Sequence, residues 1–383
     1  MRHHPFDRLR SAFSGIDWIL LLTVLAISAF GIVVVRSATV GDLPGSPNYF
    51  FIRQLIYVGV GLLLMLGAMT VDIHRIAAAH WLVFGLLCAG VAVVLAIGAK
   101  VRGSSRWIDL GVFKLQPSEI GKVAIIIVLA AIAVDRAGSL GTWRHTLTLI
   151  GVTVVPAIVV FFQPDLGTAL VYFAILVTVL LVGGTPLAHL ATLGASVVAA
   201  ILFVLVVLPT VGFPVLKSYQ LERLTAFTNS SDTVSQAGYQ LEQSKIAIGS
   251  GGGFGKGIDG ATQTLQDFLP EHHTDFIFAV VCEMFGFVGG AILVLAFGVL
   301  LWRALRIVAR AHSAVEQLIA AGILGMFIFQ LFVNIGMTMG IMPITGIPLP
   351  LMSFGGSHTL TNLIAVGLLL QIGRRPRIGV LTT

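Results

Sequence analysis

The sequence predicts an all-α polytopic membrane protein of about ten transmembrane helices, with one long extracytoplasmic loop between helices 7 and 8. The 383-residue chain is 57% hydrophobic and only 10% charged, whereas about a quarter of the residues in soluble domains are charged. Its apolar residues also fall in runs of about twenty, the length of helix that crosses a ~30 Å hydrocarbon core. We therefore expect a single transmembrane domain over residues 1–383.

The apolar runs give ten candidate spans. They cover residues 17–36, 51–71, 81–99, 118–134, 146–163, 167–183, 188–211, 276–302, 315–340 and 355–373. An even number of spans places both termini on the same side of the membrane. Arginines near both termini and after the eighth span place that side in the cytoplasm.

The segment 212–275 is the long loop. It is too small, and its middle too rich in Gly and Ser, to form a separate folded domain. Its stretch GSGGGFGKG resembles a phosphate-binding loop but lacks two required residues, because Ser250 and Gly257 stand where Gly and Ser or Thr are needed. We expect a flexible turn with exposed backbone N–H groups, which can hold a pyrophosphate. The net charge of +6 reflects membrane-flanking arginines, so we infer no nucleic-acid partner.

A polar group surrounds the start of the fourth span, in VRGSSRWIDLGVFKLQPSEIGK at residues 101–122, and its members are Arg106, Lys114, Glu119 and Lys122. Pro117 and the two residues after it suit a helix start, so capping explains Ser118 and part of the preference for Glu119. Capping does not explain Lys122, which lies one turn inside an apolar span, where ionisable side chains mark functional sites by default. Glu119 and Lys122 are three residues apart on a helix, so we expect them to pair.

Two further stretches lie between spans. FFQPDLGTAL sets Asp165 in a tight turn, where a turn or cap role and a role in a site both remain open. MPITGIPLPLMSFGGSH, residues 342–358, has three prolines and three glycines. A backbone this irregular at membrane depth is stable only when it is buried in protein or lines a cavity. We therefore expect a re-entrant or cavity-lining segment here.

The stretch FLPEHHTDFIF gathers two acids and two histidines at the edge of span eight: Glu271, His272, His273 and Asp275. These four are nearly adjacent and point in different directions on a regular backbone, which disfavours a closed metal site. One or two carboxylates could still hold a divalent ion. A helix cap needs only Thr274 or Asp275. A partly desolvated carboxylate at such a boundary suits a general base, so we favour a catalytic role for Asp275.

These motifs together resemble those of the SEDS family (shape, elongation, division and sporulation). YQLEQSKIAIGSGG, FLPEHHTDFIFAV, SSRWIDLG, LQPSEIGK, QPDLGTAL and GIPLPLMSFGGS resemble family motifs in family order, and the resemblance covers nearly the whole chain. GIPLPLMSFGGS and the short N-terminal tail are more similar to the RodA branch than to the FtsW branch. Two departures stand out. Glu283-Met284 replaces the usual Glu-Glu, and SFGGSH, with Phe354 and His358, replaces SYGGSS.

The resemblance implies a ten-helix protein of the bacterial cytoplasmic membrane. It implies a peptidoglycan glycosyltransferase for cell elongation and rod shape, which polymerises lipid II into a glycan strand outside the membrane. A class B penicillin-binding protein would crosslink the product. The family's essential Asp falls on Asp275, its pre-span Glu and Lys on Glu119 and Lys122, and its loop Arg on Arg106. Further candidates for substrate binding are Asp165, Lys245, Lys256 and Ser353.

The implied reaction converts an α-linked glycosyl pyrophosphate into a β-linked glycan, so the anomeric centre inverts. A single displacement needs one base, here Asp275, and cations that stabilise the leaving pyrophosphate. The candidate cations are Arg106, Lys122, Lys245 and Lys256. No cofactor is assigned with certainty, and Mg²⁺ or Mn²⁺ remains open. The rival function, a flippase for the lipid-linked precursor, predicts charges through the bilayer midplane. Most spans lack central charges, and Glu283 is the main exception. A non-catalytic scaffold would leave Asp275 unexplained.

Overall fold

The computed structural model describes residues 15–43, 45–97, 99–101, 104–109, 114–139, 141–203 and 236–374. The helices in this part of the chain are α1 Trp18–Ala38, α2 Tyr49–Ala68, α3 Ile73–Ala78, α4 His80–Ile97, α5 Pro117–Asp135, α6 Trp143–Phe162, α7 Leu166–Val182, α8 Leu187–Leu202, α9 Gln236–Ser250, α10 Thr262–Leu265, α11 Ile277–Arg310, α12 Ala314–Thr338 and α13 Gly356–Ile372. A single 3₁₀ turn, Ala137–Ser139, follows α5.

Each of the ten predicted spans coincides with one of these helices, namely α1, α2, α4 to α8 and α11 to α13. Six of them, α1, α2, α5, α6, α11 and α12, are long and apolar enough to cross a membrane, and the other four contain shorter apolar stretches. The all-α polytopic class is therefore confirmed, while the number of crossings stays a prediction. Of the predicted seventh span and long loop, residues 204–235 lie outside the described residues, as do most of the terminal arginines.

A small antiparallel sheet between α4 and α5 was not predicted. Its strands are β1 Ala99–Val101, β2 Ser104–Asp109 and β3 Lys114–Leu115, with β2 in the middle. Ile108 of β2 lies opposite Leu115 of β3. The sheet holds the connection that carries Arg106 beside the start of α5.

Helices α5 and α12 form the centre of the bundle, since most of their apolar length is buried. Helix α13 packs closely along α2, and small residues allow this approach. A Cβ added to Gly367 of α13 would lie only 2.5 Å from the carbonyl oxygen of Met65 on α2.

Helix α11 is broken near its start by Gly286, whose φ of 67° and ψ of −165° are not helical. The loop before α10 packs into this break. The N–H groups of Lys256 and Gly257 donate to the carbonyl oxygens of Glu283 and Met284 at 2.9 and 3.0 Å. In return, the N–H groups after the break donate to the carbonyls of residues 252 and 253. The expectation of a flexible turn with exposed N–H groups is therefore wrong, because the break in α11 uses these groups.

Candidate functional site

A polar cavity of about 950 Å³ lies where the N-terminal ends of α2, α5, α7 and α13 meet the turn before α11 and strands β2 and β3. Four basic side chains line it: Arg53, Arg106, Lys114 and Lys122. Four acidic side chains also line it: Glu119, Asp165, Glu271 and Asp275. Helix N-termini carry partial positive charge, so these ends and the basic side chains together favour an anionic ligand.

Five of the eight predicted site residues meet at this cavity: Arg106, Glu119, Lys122, Asp165 and Asp275. The other three, Lys245, Lys256 and Ser353, are not among its lining residues. Lys245 lies on α9 with its side chain against Gly340. Lys256 is exposed, and its Nζ lies 3.9 Å from Oε1 of Glu283. Their positions give no support to direct contact with a ligand in the cavity.

Asp275 lies in a turn whose first residue, Glu271, adopts a left-handed conformation with φ 58°. The carbonyl oxygen of Glu271 accepts from the N–H groups of Thr274, Asp275 and Phe276 at 3.1 to 3.3 Å. Helix α11 begins at Ile277 with Phe276 in the cap position, so Asp275 is not its cap. A strained backbone of this kind persists where the surroundings over-determine it, which is common at functional sites.

Buried groups from later in the chain anchor both sides of this turn. The amide nitrogen of Asn334, on α12, donates to the carbonyl oxygen of Asp275 at 2.8 Å. The Ser353 hydroxyl donates to the carbonyl oxygen of Thr274 at 2.6 Å and accepts from the N–H of Leu349 at 2.8 Å. Ser353 is fully buried, so its observed role is to support the turn.

The predicted pair of Glu119 and Lys122 is confirmed, with Nζ of Lys122 2.6 Å from Oε1 of Glu119. The pair is buried, since Glu119 is 5% exposed and Lys122 1%. A third member comes from α13: Nδ1 of His358 lies 3.2 Å from Oε2 of Glu119. On its other ring nitrogen, His358 contacts the side-chain amide of Asn362 at 3.0 Å. The Glu119 carboxylate thus contacts two basic groups, Lys122 and His358, at the wall of the cavity.

Asp165 caps α7 and also lines the cavity, so its role in a site stays a prediction. Its Oδ1 accepts from the N–H of Thr168 at 3.2 Å and caps α7, while its Oδ2 accepts from Nε2 of Gln116 at 2.8 Å. The guanidinium of Arg106 donates to the carbonyl oxygens of Gln163, at 3.0 Å, and Pro164. The turn before α7 therefore fixes one end of Arg106 at the cavity.

Sequence reasoning missed Arg53, which lines the cavity. Arg53 lies in the first turns of α2, and its guanidinium carbon lies 4.5 Å from the centre of the Tyr49 ring. An arginine inside an apolar span is itself a signal of function, but its place near the start resembles an ordinary flanking charge. Lys114 belongs to the polar group that the sequence predicts at the start of the fourth span, and strand β3 brings it to the cavity wall.

Beside the Asp275 turn, His272 is almost fully buried next to Asp42, from the connection between α1 and α2. Burial lowers the pKa of His272, but the Asp42 carboxylate, the Leu269 carbonyl and Asp267 together raise it by more, so the pKa lies above its usual value. Nε2 of His272 is 3.3 Å from Oδ2 of Asp42. Asp42 is also 3.8 Å from Nδ1 of His273.

Fold and site together define an integral membrane protein with a charged cavity at the end of a helical bundle. Residues 17–378 match the FtsW, RodA and SpoVE family, described as "Cell cycle protein". The chain belongs to this family, which confirms the SEDS resemblance.

Several curated relatives are similar over nearly the whole chain. Stage V sporulation protein E of Bacillus subtilis is 33% identical, over 94% of this chain and 98% of that protein. Peptidoglycan glycosyltransferase RodA of Treponema pallidum is also 33% identical, over 94% and 98%. A probable peptidoglycan glycosyltransferase FtsW of Thioalkalivibrio sulfidiphilus is 38% identical, over 94% and 90%. Relatives of three kinds match at similar identity, so the RodA branch stays a prediction.

Two solved structures share the fold. The first is a chain of a peptidoglycan synthase complex, described for its structural coordination of polymerization and crosslinking. It superposes with a TM-score of 0.78 at 29% identity, over 94% of this chain and 97% of that one. The rod shape determining protein RodA of Thermus thermophilus gives a TM-score of 0.69 at 27% identity, over the same shares.

Proposed function

We propose that this chain is a peptidoglycan glycosyltransferase that polymerises lipid II with inversion at the anomeric carbon, with Asp275 as general base. The observation that carries this proposal is the position of Asp275. It lies on the same cavity as four basic side chains and on a turn anchored from two other elements. The relatives named peptidoglycan glycosyltransferases support the reaction class.

In the proposed reaction, a hydroxyl of the acceptor sugar attacks the anomeric carbon of the donor. A new C–O bond forms as the bond to the pyrophosphate oxygen breaks, and Asp275 takes the hydroxyl proton. The pyrophosphate leaves with its charge stabilised by basic groups. Arg106 and Lys122 keep this role from the sequence, and Arg53 and Lys114 join them on the cavity wall in place of Lys245 and Lys256.

Glu119 has a different task in this scheme. It accepts from Lys122 at 2.6 Å and so fixes the position of that cation within a buried wall. An unpaired ammonium at this depth would be costly. Glu119 and His358 are therefore proposed as positioning residues for Lys122.

We place the protein in the bacterial cytoplasmic membrane with both termini in the cytoplasm and the cavity on the outer face. The proposed partner is a class B penicillin-binding protein that crosslinks the growing strand. The likeness to a chain of a synthase complex that couples polymerization to crosslinking supports such a partner. Cell elongation is the proposed role within the family.

The structure gives a different role to Glu283, the residue that most favoured the flippase alternative. Glu283 was the exceptional acid inside a span, but its carboxylate accepts from the N–H groups of Gln263 and Thr264 at 2.8 and 3.1 Å and from the Thr264 hydroxyl at 2.7 Å. These bonds hold α10 on α11. Glu283 therefore has a structural task, which removes its support for a transport path.

The test is polymerisation of labelled lipid II by the purified chain, alone and with its crosslinking partner, with glycan length read on a gel. Asp275→Asn keeps the size of the side chain and removes the base, so polymerisation should fall by about 10²-fold or more. Thermal stability should stay near wild type. Wild-type product from a well-folded Asp275→Asn protein would refute the proposal.

A further inference from the structure

Three potential metal ligands meet beside the Asp275 turn, and they come from two separate segments. Asp42 follows α1, whereas His272 and His273 precede α11. Oδ2 of Asp42 lies 3.3 Å from Nε2 of His272 and 3.8 Å from Nδ1 of His273. One ligand atom from each of the three residues lies within 4.8 Å of the other two. The sequence disfavoured a metal here because four adjacent residues cannot converge, and it could not show that Asp42 joins them.

The ring of His272 has the orientation that is usual for a metal-binding imidazole. Its Nδ1 lies 2.9 Å from the carbonyl oxygen of Leu269, so this nitrogen carries a proton and donates. Metal-binding histidines are usually oriented by such a bond on the nitrogen that does not bind the ion. The residue is 2% exposed, and Nε2 makes no hydrogen bond of good geometry among the described residues, although Oδ2 of Asp42 lies 3.3 Å away. This buried nitrogen faces Asp42.

A single proton does not account for this arrangement as well as a cation does. A proton on Nε2 of His272 would bridge His272 and Asp42 alone. An ion placed between the three groups interacts with all of them at once. Zinc ligands lie ~2.0–2.2 Å from the ion, so tetrahedral neighbours are ~3.3 Å apart. The contact of Asp42 with His272, at 3.3 Å, has this spacing, and Nδ1 of His273 lies 3.8 Å from the same oxygen.

We propose that Asp42, His272 and His273 bind one divalent transition-metal ion of the Zn²⁺ or Mn²⁺ class. Two imidazoles and one carboxylate suit such ions, whereas Mg²⁺ prefers oxygen ligands only. Binding displaces the proton that Asp42 favours on His272. The ion joins the connection after α1 to the residue two positions before Asp275. Its task is to order the Asp275 turn, and it does not depend on which reaction that turn supports.

The chain contains a matched control. His80 is also buried, its Nδ1 lies 2.9 Å from the carbonyl oxygen of Ala77, and its Nε2 lies 3.7 Å from Oδ2 of Asp135. This site has the same local pattern of one histidine, one backbone carbonyl and one carboxylate. Among the described residues, however, His80 and Asp135 belong to no group of three or more potential metal ligands. His80→Gln therefore removes a comparable contact without removing a proposed ligand.

The experiment uses the full chain purified in detergent, stripped with chelator, incubated with ZnCl₂ and desalted. Metal content is measured by mass spectrometry, and thermal unfolding is measured with and without Zn²⁺. Wild type and His80→Gln should each retain one zinc per chain and unfold at a higher temperature with Zn²⁺. Asp42→Asn and His272→Gln should each lose both effects, and excess Mg²⁺ should not displace the zinc.

A second readout reports the ligands directly. Co²⁺ loaded in place of Zn²⁺ should give visible absorption bands that change in His272→Gln and not in His80→Gln. Failure of wild type to retain zinc would overturn the proposal even if a variant does not fold. Equal zinc retention in all variants would also overturn the proposal, because the zinc would then be bound by histidines elsewhere in the chain, which all the variants share.

Discussion

The buried pair of Glu119 and Lys122 allows a test that separates stability from activity. Breaking one partner of a buried ion pair costs about 3–5 kcal/mol, because the other charge stays buried, whereas replacing both by apolar residues of similar size is often nearly neutral. Lys122 is 1% exposed, so Glu119→Gln should be strongly destabilising. Lys122→Met should cost less, because Glu119 keeps His358 at 3.2 Å.

The double variant Glu119→Leu/Lys122→Met should therefore recover most of the stability lost in Glu119→Gln. It should not recover lipid II polymerisation, since Lys122, one of the four cations that line the cavity, is gone. The assay combines thermal unfolding in detergent with glycan synthesis per folded molecule. A double variant that polymerises at the wild-type rate would refute the role of Lys122 and leave the pair as a purely structural contact.

A control pair lies elsewhere in the bundle. Nε of Arg303 on α11 lies 2.8 Å from Oδ2 of Asp17, whose other oxygen caps α1, and both side chains are largely buried. Arg303→Met leaves Asp17 unpaired and should lower the unfolding temperature. Activity per folded molecule should stay at the wild-type level, because neither residue lines the cavity. Loss of specific activity in this control would show that the assay reports stability alone.

Two further variants test the architecture around the site. Ser353→Ala removes two buried hydrogen bonds, including the one to the carbonyl oxygen of Thr274, and should destabilise the protein by about 1–3 kcal/mol and lower kcat more than it raises KM. An unchanged kcat would argue against positioning by Ser353. Gly286→Ala should lower the unfolding temperature, since φ is 67° and its Cβ would meet the backbone of Gly253 at 2.6 Å. Gly298→Ala on the same helix should be neutral or stabilising by up to about 1 kcal/mol, because nothing among the described residues lies within 4 Å of its Cβ; a fall equal to that of Gly286→Ala would contradict the steric argument.

The spans were predictable because each is set by its own run of apolar residues. The pairing of Glu119 with Lys122 was predictable for the same local reason, since three residues separate them on one helix. His358 could not be assigned to this pair, because it reaches Glu119 across 239 positions of sequence. The same limit applies to Asp42, which meets the two histidines only after α1 and α11 pack.

The loop before α10 was mispredicted because its glycines were interpreted without regard to the rest of the chain. GSGGGFGKG has the composition of a flexible turn, but its backbone completes the hydrogen bonds that Gly286 interrupts in another element. The eighth span likewise ends at Arg310 and not near residue 302, since the helix continues beyond its apolar run. Lys245 and Lys256 were chosen by charge, and only the packing of α9 and the loop places them away from the cavity.

The anchors of the Asp275 turn also determine when the site can exist. Asn334 and Ser353 both follow Asp275 in the chain, and each holds a carbonyl oxygen of the turn. A ribosome-bound chain that has inserted α11 but not α12 and the segment before α13 lacks both anchors. The site is therefore completed at the end of biosynthesis, when the last helices have inserted. A protein truncated before residue 334 should insert in the membrane yet lack both anchors of the Asp275 turn, so it should carry no organised site.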